Sequence, residues 1–544
     1  MALRKTRPLR FAPAGLSDSL DTTDEFPGAC AILQNLIPDP TTKDIWTCRP
    51  ASLELTGFPG FTTPGVVSVF KVIGSLVYGL ISSGLTAGYD QPFCYNILTN
   101  AFVTVSGITS ANVPLTPAAT GDWTPPTMDL CGINLVVTHP GFDGITNFFG
   151  WFDTTNPAAP VWYAGNTAAG STITFMTIPA WVRQFNGRAW FGINPAAAQP
   201  SVVFTDSLTL KVTNASQALT FGDNLPLTCA IGLPLSNQLG GVIQALLVFK
   251  GVSNIVQITG DAATTNLALN TLNAATGTLS PRSLCVTPQG ISFLAPDGIR
   301  LIDFDARVSD PIGAEGTGVV VPFLSPPYPS RVACGANAAV LRVNVQNSRV
   351  NNTPWQEYWY DLIREVWSGP HTFPASMLDT YNAVFIIAPQ SVPAALFSSK
   401  TVPDSTTSST ENGVALTWHF QTSMLPDNEA MQESELLELQ IKTTVIAALA
   451  QMVVSALDQN GSVYGSAVFP FAGGGATLWG SFVWGGAAWG GNQAGLYPRY
   501  VTFSAPVVFN RLAIDIQGGS AHGFSIGDLF MRVRTLGYTQ LEAV

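Results

Sequence analysis

Val66-Val-Ser-Val-Phe-Lys-Val72, Leu76-Val-Tyr-Gly-Leu-Ile81, Phe93-Cys-Tyr-Asn-Ile-Leu98 and Phe102-Val-Thr-Val105 follow one another with little between them. Each run is short and rich in Val, Ile, Phe and Tyr, and the links carry Gly74, Gly84, Gly88 and Asn100. Short apolar runs bounded by turn residues predict strands joined by tight turns. The pattern recurs downstream. Leu135–Thr138, Phe148–Phe152 and Val161–Tyr163 make a second group; Trp181–Phe185, Ala189–Phe191 and Val202–Phe204 a third. Gln244–Phe249 with Ile255–Ile258 follow, then Leu284–Val286, Ile291–Leu294 and Ile299–Phe304. Glu357–Tyr360, Glu365–Trp367, Ala383–Ile387 and Ala394–Phe397 close the series. Groups of three or four strands recurring roughly every 40–60 residues predict propeller blades, with an array of β-sandwiches as the alternative. Phe185-Asn-Gly-Arg188 and Pro296-Asp-Gly298 are hairpin signals. No WD or kelch signature is present, and the blade count is not set.

The flanks read differently. Residues 1–60 are turn-rich and extended, with Phe26-Pro-Gly28, Leu36-Ile-Pro-Asp-Pro40 and Trp46-Thr-Cys-Arg-Pro50. Such a segment makes no core of its own and is expected to wrap another domain or a neighbouring subunit. The polar stretch 401–413 is the best boundary. Beyond it Val414–Thr422 alternates, and so does Leu437–Lys442 within 433–457, which favours strands over a helix there. Tyr500–Phe503, Leu512–Ile516 and Leu529–Thr535 are further strands. The expected fold is all-β: an extended N-terminal segment (1–60; a docking arm that joins the platform), an irregular β-propeller-like central domain (61–410) and a C-terminal β-sandwich-like platform domain (411–544).

Charge is scarce. The chain has 24 Lys+Arg and 35 Asp+Glu in 544 residues, or 11%, against about 25% in an ordinary soluble domain. No stretch approaches the roughly 20 apolar residues of a bilayer span. A large surface covered mainly by uncharged groups points to a subunit of an assembly. The net charge of −11 disfavours tight binding of DNA, which replaces counterions with Lys and Arg, and suits a wall past which DNA slides. Of the 24 cations 17 are Arg, a bias shared by interfaces and by GC-rich coding. The seven cysteines are dispersed, without a C-x-x-C pair, which indicates neither zinc nor a disulfide framework. The basic N-terminus runs into Asp18, Asp21 and Asp24 with no apolar stretch, so it does not read as a signal peptide.

Catalytic patterns are thin. Gly523-Phe-Ser-Ile-Gly527 fits G-x-S-x-G by letter, but a strand, not a helix, is expected after it, and no histidine follows His522. His139, His371, His419 and His522 lack metal-binding spacing. Asp303 and Asp305 share one strand face with Asp310 nearby, but no calcium loop is formed around them. Gly473-Gly-Gly475 lacks the Lys-Ser/Thr of a phosphate loop. No cofactor and no metal are expected. Arg4, Lys5, Arg7 and Arg10 form the one concentrated basic patch, read as an arm docking on a neighbouring subunit, with contact to DNA phosphates as the alternative. Trp479, Trp484 and Trp489 recur at five-residue intervals among glycines. They are either interface anchors or stacking platforms for sugars or bases, the first being favoured.

Taken together, the segments Leu33-Gln-Asn-Leu-Ile-Pro-Asp-Pro40 with Trp46-Thr-Cys-Arg-Pro50, Val242–Lys250 with Ile255–Asp261, Val286–Leu294 and Tyr358-Trp-Tyr-Asp-Leu362 with Val366-Trp-Ser-Gly369 resemble the tail nozzle family of short-tailed bacteriophages, also called tail tubular protein B or packaged-DNA stabilisation protein. Leu436–Ile441 and Gly523–Ile526 are similar in style to that family's closing sandwich. The resemblance spans most of the chain and consists of patterns rather than fixed motifs. It implies a virion protein that is not an enzyme and is assembled in the host cytoplasm. It also implies a homo-oligomer, six copies in a ring below the portal and adaptor, with tail fibres or spikes as neighbours. Double-stranded DNA would be retained by this channel and pass through it on ejection. The alternative of another class is a carbohydrate-binding or carbohydrate-cleaving virion propeller, a lectin or depolymerase with two convergent carboxylates.

Overall fold

The computed structural model describes residues 6–17, 27–56, 66–82, 88–116, 124–165, 175–236, 241–261, 266–272, 275–313, 323–324, 326–346, 355–390, 395–402, 410–411, 414–425, 432–444, 451–470, 496–520 and 524–538. No α-helix occurs among them, and the regular structure is strand with a few single 3-10 turns. Six four-stranded sheets and one three-stranded sheet form the seven blades of a propeller. Blade 1 is built from Val67–Ile73, Leu76–Ser82, Asp90–Asn96 and Ala101–Val103. Blades 2, 3 and 4 begin at Thr127–Cys131, Trp181–Phe185 and Leu227–Ser236. Blade 5 has three strands, Cys285–Thr287, Gly290–Ala295 and Gly298–Ile302. Blade 6 runs from Ala333–Asn337 to Val366–His371.

Blade 7 takes Ala375–Tyr381, Val384–Pro389 and Phe397–Lys400, and its fourth strand comes from the other end of the chain: Leu53–Glu54 pairs with Phe397–Ser398. The ring is therefore closed by an N-terminal strand. The hairpin signals are realised as turns. Asn186 and Gly187 both have positive φ (49° and 70°), as a type I′ turn requires.

Each blade twists against the next and buries apolar side chains at the seam. Val69, Tyr78, Leu135, Phe152 and Trp162 fill the seam of blades 1 and 2; Trp181, Trp190, Phe204, Leu246 and Val248 fill that of blades 3 and 4. The large rings fit because glycines stand opposite them. A Cβ on Gly192 would collide with the Trp181 indole across the strand pair, and one on Gly150 with Trp162. Gly192→Ala is expected to destabilise the fold by about 1–3 kcal/mol, the usual cost of overpacking, read as a lower urea midpoint with unchanged m-value. An unchanged midpoint would mean that the ring shifts aside freely.

Two seven-stranded sheets form the platform. The first contains Gln432–Thr444 between Leu496–Val501 and Ser525–Tyr538, extended by Trp46–Cys48 and Leu36–Pro38, with Thr6–Phe11 along Ser525–Tyr538. The second runs Gly15–Leu16, Ala29–Gln34, Val414–Thr422, Ala513–Ser520, Gln451–Leu457, Val463–Pro470. Their inner faces alternate as the sequence does: Leu439, Ile441, Met531 and Val533 meet Trp418, Phe420, Val454 and Ile516. Trp418 stacks on Phe524 with centroids 3.8 Å apart. This core does not stop at the propeller. It continues into Leu341, Val343, Tyr358 and Trp367 of blade 6, so the two parts are joined by one apolar body.

The stretch read as helix or strand, 433–457, is two strands. Beside outer strands such as Ala218–Thr220 and Asn266–Thr271, the strands missed in the sequence include four nearest the propeller axis: Thr127–Cys131, Leu227–Ser236, Ala333-Cys-Gly-Ala-Asn337 and Ala375–Tyr381. Seven blades crowd there, so small residues such as Gly335 and Ala336 replace the bulky apolar pattern by which strands are recognised.

Candidate functional site

The innermost strand of each blade is a sheet edge, and its outward N–H groups lack a ladder partner. They line a central cavity of about 660 Å³ whose polar groups include Lys71, Asp129, Arg183, Gln184, Arg282 and Asp379. At two seams the edge is closed by the same device. In blade 2 the Thr127 hydroxyl accepts from Val182 N (2.9 Å) and Asp129 Oδ2 from Gln184 N (2.8 Å), both on blade 3. In blade 7 Met377 Sδ accepts from Phe70 N (3.3 Å) and Asp379 Oδ2 from Val72 N (2.8 Å), both on blade 1. Two side chains, two residues apart, thus cap two amides of the next blade. The remaining oxygen of each carboxylate accepts from the following residue: Leu130 N to Asp129 (3.0 Å) and Thr380 N to Asp379 (2.8 Å). Each of the four oxygens accepts a backbone N–H, so both carboxylates serve as caps of the seam.

The opposite side of the ring reaches across this cavity. Arg282, on the 3-10 turn Pro281–Ser283 before blade 5, donates Nη1 to Ser376 O of blade 7 (3.2 Å) and Nη2 to Ser68 O of blade 1. Burial pushes its pKa down to about 9, Arg331 adds to the fall, and Asp90 opposes it. Asp90 itself is fully buried and lies 3.0 Å from His139 Nε2, whose Nδ1 accepts from Gly141 N. The cavity is therefore spanned by a cation that fastens the seam where the ring closes.

A second polar cluster sits where the N-terminal segment, blades 6 and 7 and the platform meet. Arg49 is buried; its Nε donates to Asn35 Oδ1 (2.8 Å) and its Nη2 is 2.7 Å from Glu411 Oε1. Arg342 Nε donates to Glu357 Oε1 at 2.7 Å, and both side chains are fully buried. The Arg342 guanidinium lies over Trp359 (4.6 Å) and Phe385 (5.0 Å). His371 Nδ1 accepts from Asn35 N (2.9 Å), which holds the ring neutral.

Burial, and then the charges of Arg49 and Arg342, hold the His371 pKa well below 6.5. The unfolded chain takes up this proton below about pH 6.5 and the folded chain does not. Stability is thus complete above that pH and falls as pH drops, by up to about 1.4 kcal/mol per pH unit. His371→Gln is expected to flatten the stability–pH curve between about pH 6.5 and 5 relative to the parent. A parallel curve would show that the His371 proton is not linked to folding.

The residues singled out in the sequence are scattered. Ser525 opens the strand Ser525–Tyr538 and its hydroxyl donates to Thr47 Oγ1 (3.0 Å), so the G-x-S-x-G match forms no nucleophile elbow; Gly523 and His522 lie outside the described residues. His419 pairs with Asp515 on the platform's outer face. Asp303 Oδ1 accepts from Asp305 N (2.9 Å) and Arg307 N (2.8 Å), a turn cap. No group of three or more potential metal ligands occurs among the described residues. Arg7 and Arg10 lie on the edge strand Thr6–Phe11, where Arg10 pairs with Asp528 of the same chain at 2.9 Å and remains 58% exposed. Lys442 shares Asp528 (3.4 Å), and both cations lie over Phe530. Arg4, Lys5, Trp479, Trp484 and Trp489 lie outside the described residues. The sequence reading missed Arg282 and the Thr127/Asp129 and Met377/Asp379 pairs. The shared i, i+2 spacing of those pairs is the one signal that could have marked them.

No family model matches the chain and no curated protein is similar to it in sequence. Among solved structures, the BBS1N–ARL6DN complex aligns over 65% of this chain and 97% of that one at 9% identity, with a TM-score of 0.37. Sqt1 of Saccharomyces cerevisiae aligns over 65% and 100% at 10% identity, TM-score 0.35. The SapL1 lectin, solved with alpha methyl fucoside, aligns over 57% and 97% at 16% identity, TM-score 0.29. At such scores none of them bears on function, and the fold rests on the strand pairing itself.

Proposed function

We propose that the chain is a structural virion protein: a subunit of a ring-shaped tail nozzle that retains packaged DNA and lets it pass during ejection. The observation that carries the reading is the scarcity of charge. Part of the charge lies inside: Arg49, Arg342, Asp90 and Glu357 are buried, and half-buried Arg282 ties blades across the cavity. In a chain with 11% charge, that leaves a surface clothed largely in uncharged groups, as suits a protein covered by copies of itself and by neighbouring rings. In this reading DNA runs in the lumen of the ring, not through the propeller, whose cavity Arg282 spans. An acidic chain gives that lumen little grip on phosphates.

Light scattering and negative-stain imaging test it. The expected result is a closed ring whose mass is a multiple of 57.6 kDa, alone or with portal and adaptor proteins. A strict monomer under all these conditions would overturn it. Polysaccharide cleavage abolished by a single Asp or Glu change would move the assignment to the depolymerase class, and a continuous Arg/Lys lining of the lumen would remove the sliding-wall argument.

A further inference from the structure

Sheet edges pair with other chains unless they are short, covered, or carry charge or proline. Among the described residues, nearly every long edge is protected in one of those ways. Thr6–Phe11 holds Arg7, Pro8 and Arg10, and Leu496–Val501 holds Pro498 and Arg499. The outer strand of blade 5 is covered by the chain that follows, with Ser309 N donating to Leu301 O and Ile312 N to Ile299 O (both 2.8 Å). That of blade 2 is bridged by Ser106, which accepts from Trp162 N at 2.9 Å. Those of blades 1, 3 and 7 are only two or three residues long, and that of blade 6 carries Pro370.

Among the described residues, two edges lack these devices. Val463-Tyr-Gly-Ser-Ala-Val-Phe-Pro470 ends the second platform sheet, carries no charge, and has no proline before its last residue. Val463, Tyr464 and Val468 are 59%, 42% and 58% exposed. Asn266-Leu-Ala-Leu-Asn-Thr271, the outer strand of blade 4, is uncharged and proline-free, and Leu269 is 43% exposed. One edge lies on the platform and the other on the propeller.

We propose that Val463–Pro470 of one copy pairs with Asn266–Thr271 of the next copy, continuing a sheet across the subunit boundary. The occupant follows from the chemistry of the two strands. Main-chain N–H and C=O groups supply the bonds, as in strand addition, and neither strand has a charge to desolvate or to repel. Because the two surfaces differ, the contact is heterologous and repeats head to tail until a ring closes. The pairing rests on the ring reading above and names the surfaces that build it.

The test uses the full chain. The native cysteines are buried except for half-buried Cys285, so introduced surface thiols are addressed selectively. Val468→Cys and Leu269→Cys are combined in one chain and treated with a short bismaleimide. The expected result is a ladder of cross-linked species ending at the ring. The single variants are expected to cross-link only when mixed with each other. A ring seen by light scattering without 468–269 cross-links overturns the pairing and leaves the nozzle reading intact. Dimers from Val468→Cys alone overturn it in favour of self-pairing. A chain that never assembles removes both readings. Independently, Ser466→Lys and Ala268→Lys place a charge on each exposed edge. Each is expected to raise the concentration needed for assembly at least tenfold with an unchanged melting curve; assembly like the parent's overturns the pairing.

Discussion

A chain beginning at residue 57 does not fold cooperatively. The missing segment supplies no domain of its own, but Phe11, Leu16, Leu33, Leu36, Ile37 and Trp46 are all buried in the platform. At about 1.5–3 kcal/mol for each large apolar side chain, their loss removes about 9–18 kcal/mol, comparable to the whole 5–15 kcal/mol of a typical native state. The deletion also strips Leu53–Glu54 from Phe397–Ser398, reopening the propeller at blade 7, and takes Asn35 and Arg49 from His371 and Glu411. The expected outcome is loss of the thermal transition in circular dichroism and rapid digestion by protease. A soluble truncated chain with one sharp transition at the parent's temperature would show that the segment is an appendage.

Arg342→Ala is expected to destabilise the protein by about 3–5 kcal/mol, because it leaves the Glu357 carboxylate buried without its cation. Both side chains are fully buried, and Glu357 Oε2 has no hydrogen-bond partner among the described residues, so no second donor takes over. Replacing the pair by apolar side chains of similar volume, Arg342→Met with Glu357→Leu, is expected to recover most of the loss, since the desolvation cost of both charges disappears with them. Urea denaturation of the parent, single and double variants measures this. A double variant as unstable as the single one would place the loss in the packing of the guanidinium stem on Trp359 and Phe385 instead.

Most middle strands of the blades were legible because each faces an apolar seam, whereas outer strands such as Ala218–Thr220 and Asn266–Thr271 were not. Val77-Tyr-Gly-Leu-Ile81 and Trp190-Phe191 carry the bulk that such a seam needs. Of the inner strands, Val67–Ile73, Trp181–Phe185 and Cys285–Thr287 were legible too, whereas Thr127–Cys131, Leu227–Ser236, Ala333–Asn337 and Ala375–Tyr381 were not, because the axis admits small residues and edge amides there are satisfied by side chains of the neighbouring blade. The polar groups around the cavity were illegible for a related reason. Asp129 and Asp379 look like any two aspartates until Gln184 N and Val72 N arrive from other blades. Arg282 looks like a surface arginine until Ser68 and Ser376 close over it.

The sequence alone determined the class of structure: strand-length apolar runs, turns at Asn186-Gly187 and Asp297-Gly298, and a shortage of charge that no fold could hide. Those are local or compositional properties, and each residue carries its share of them wherever the chain goes. The tertiary structure decided the number of blades, the closure of the last one by Leu53–Glu54, the pairing of Thr6–Phe11 with Ser525–Tyr538, and the burial of the Arg342–Glu357 pair. These contacts join residues hundreds of positions apart or depend on what packs around them. Their partners are chosen by the geometry of a closed ring and the cost of leaving a buried edge or charge unmatched, neither of which is written in any one stretch of the chain.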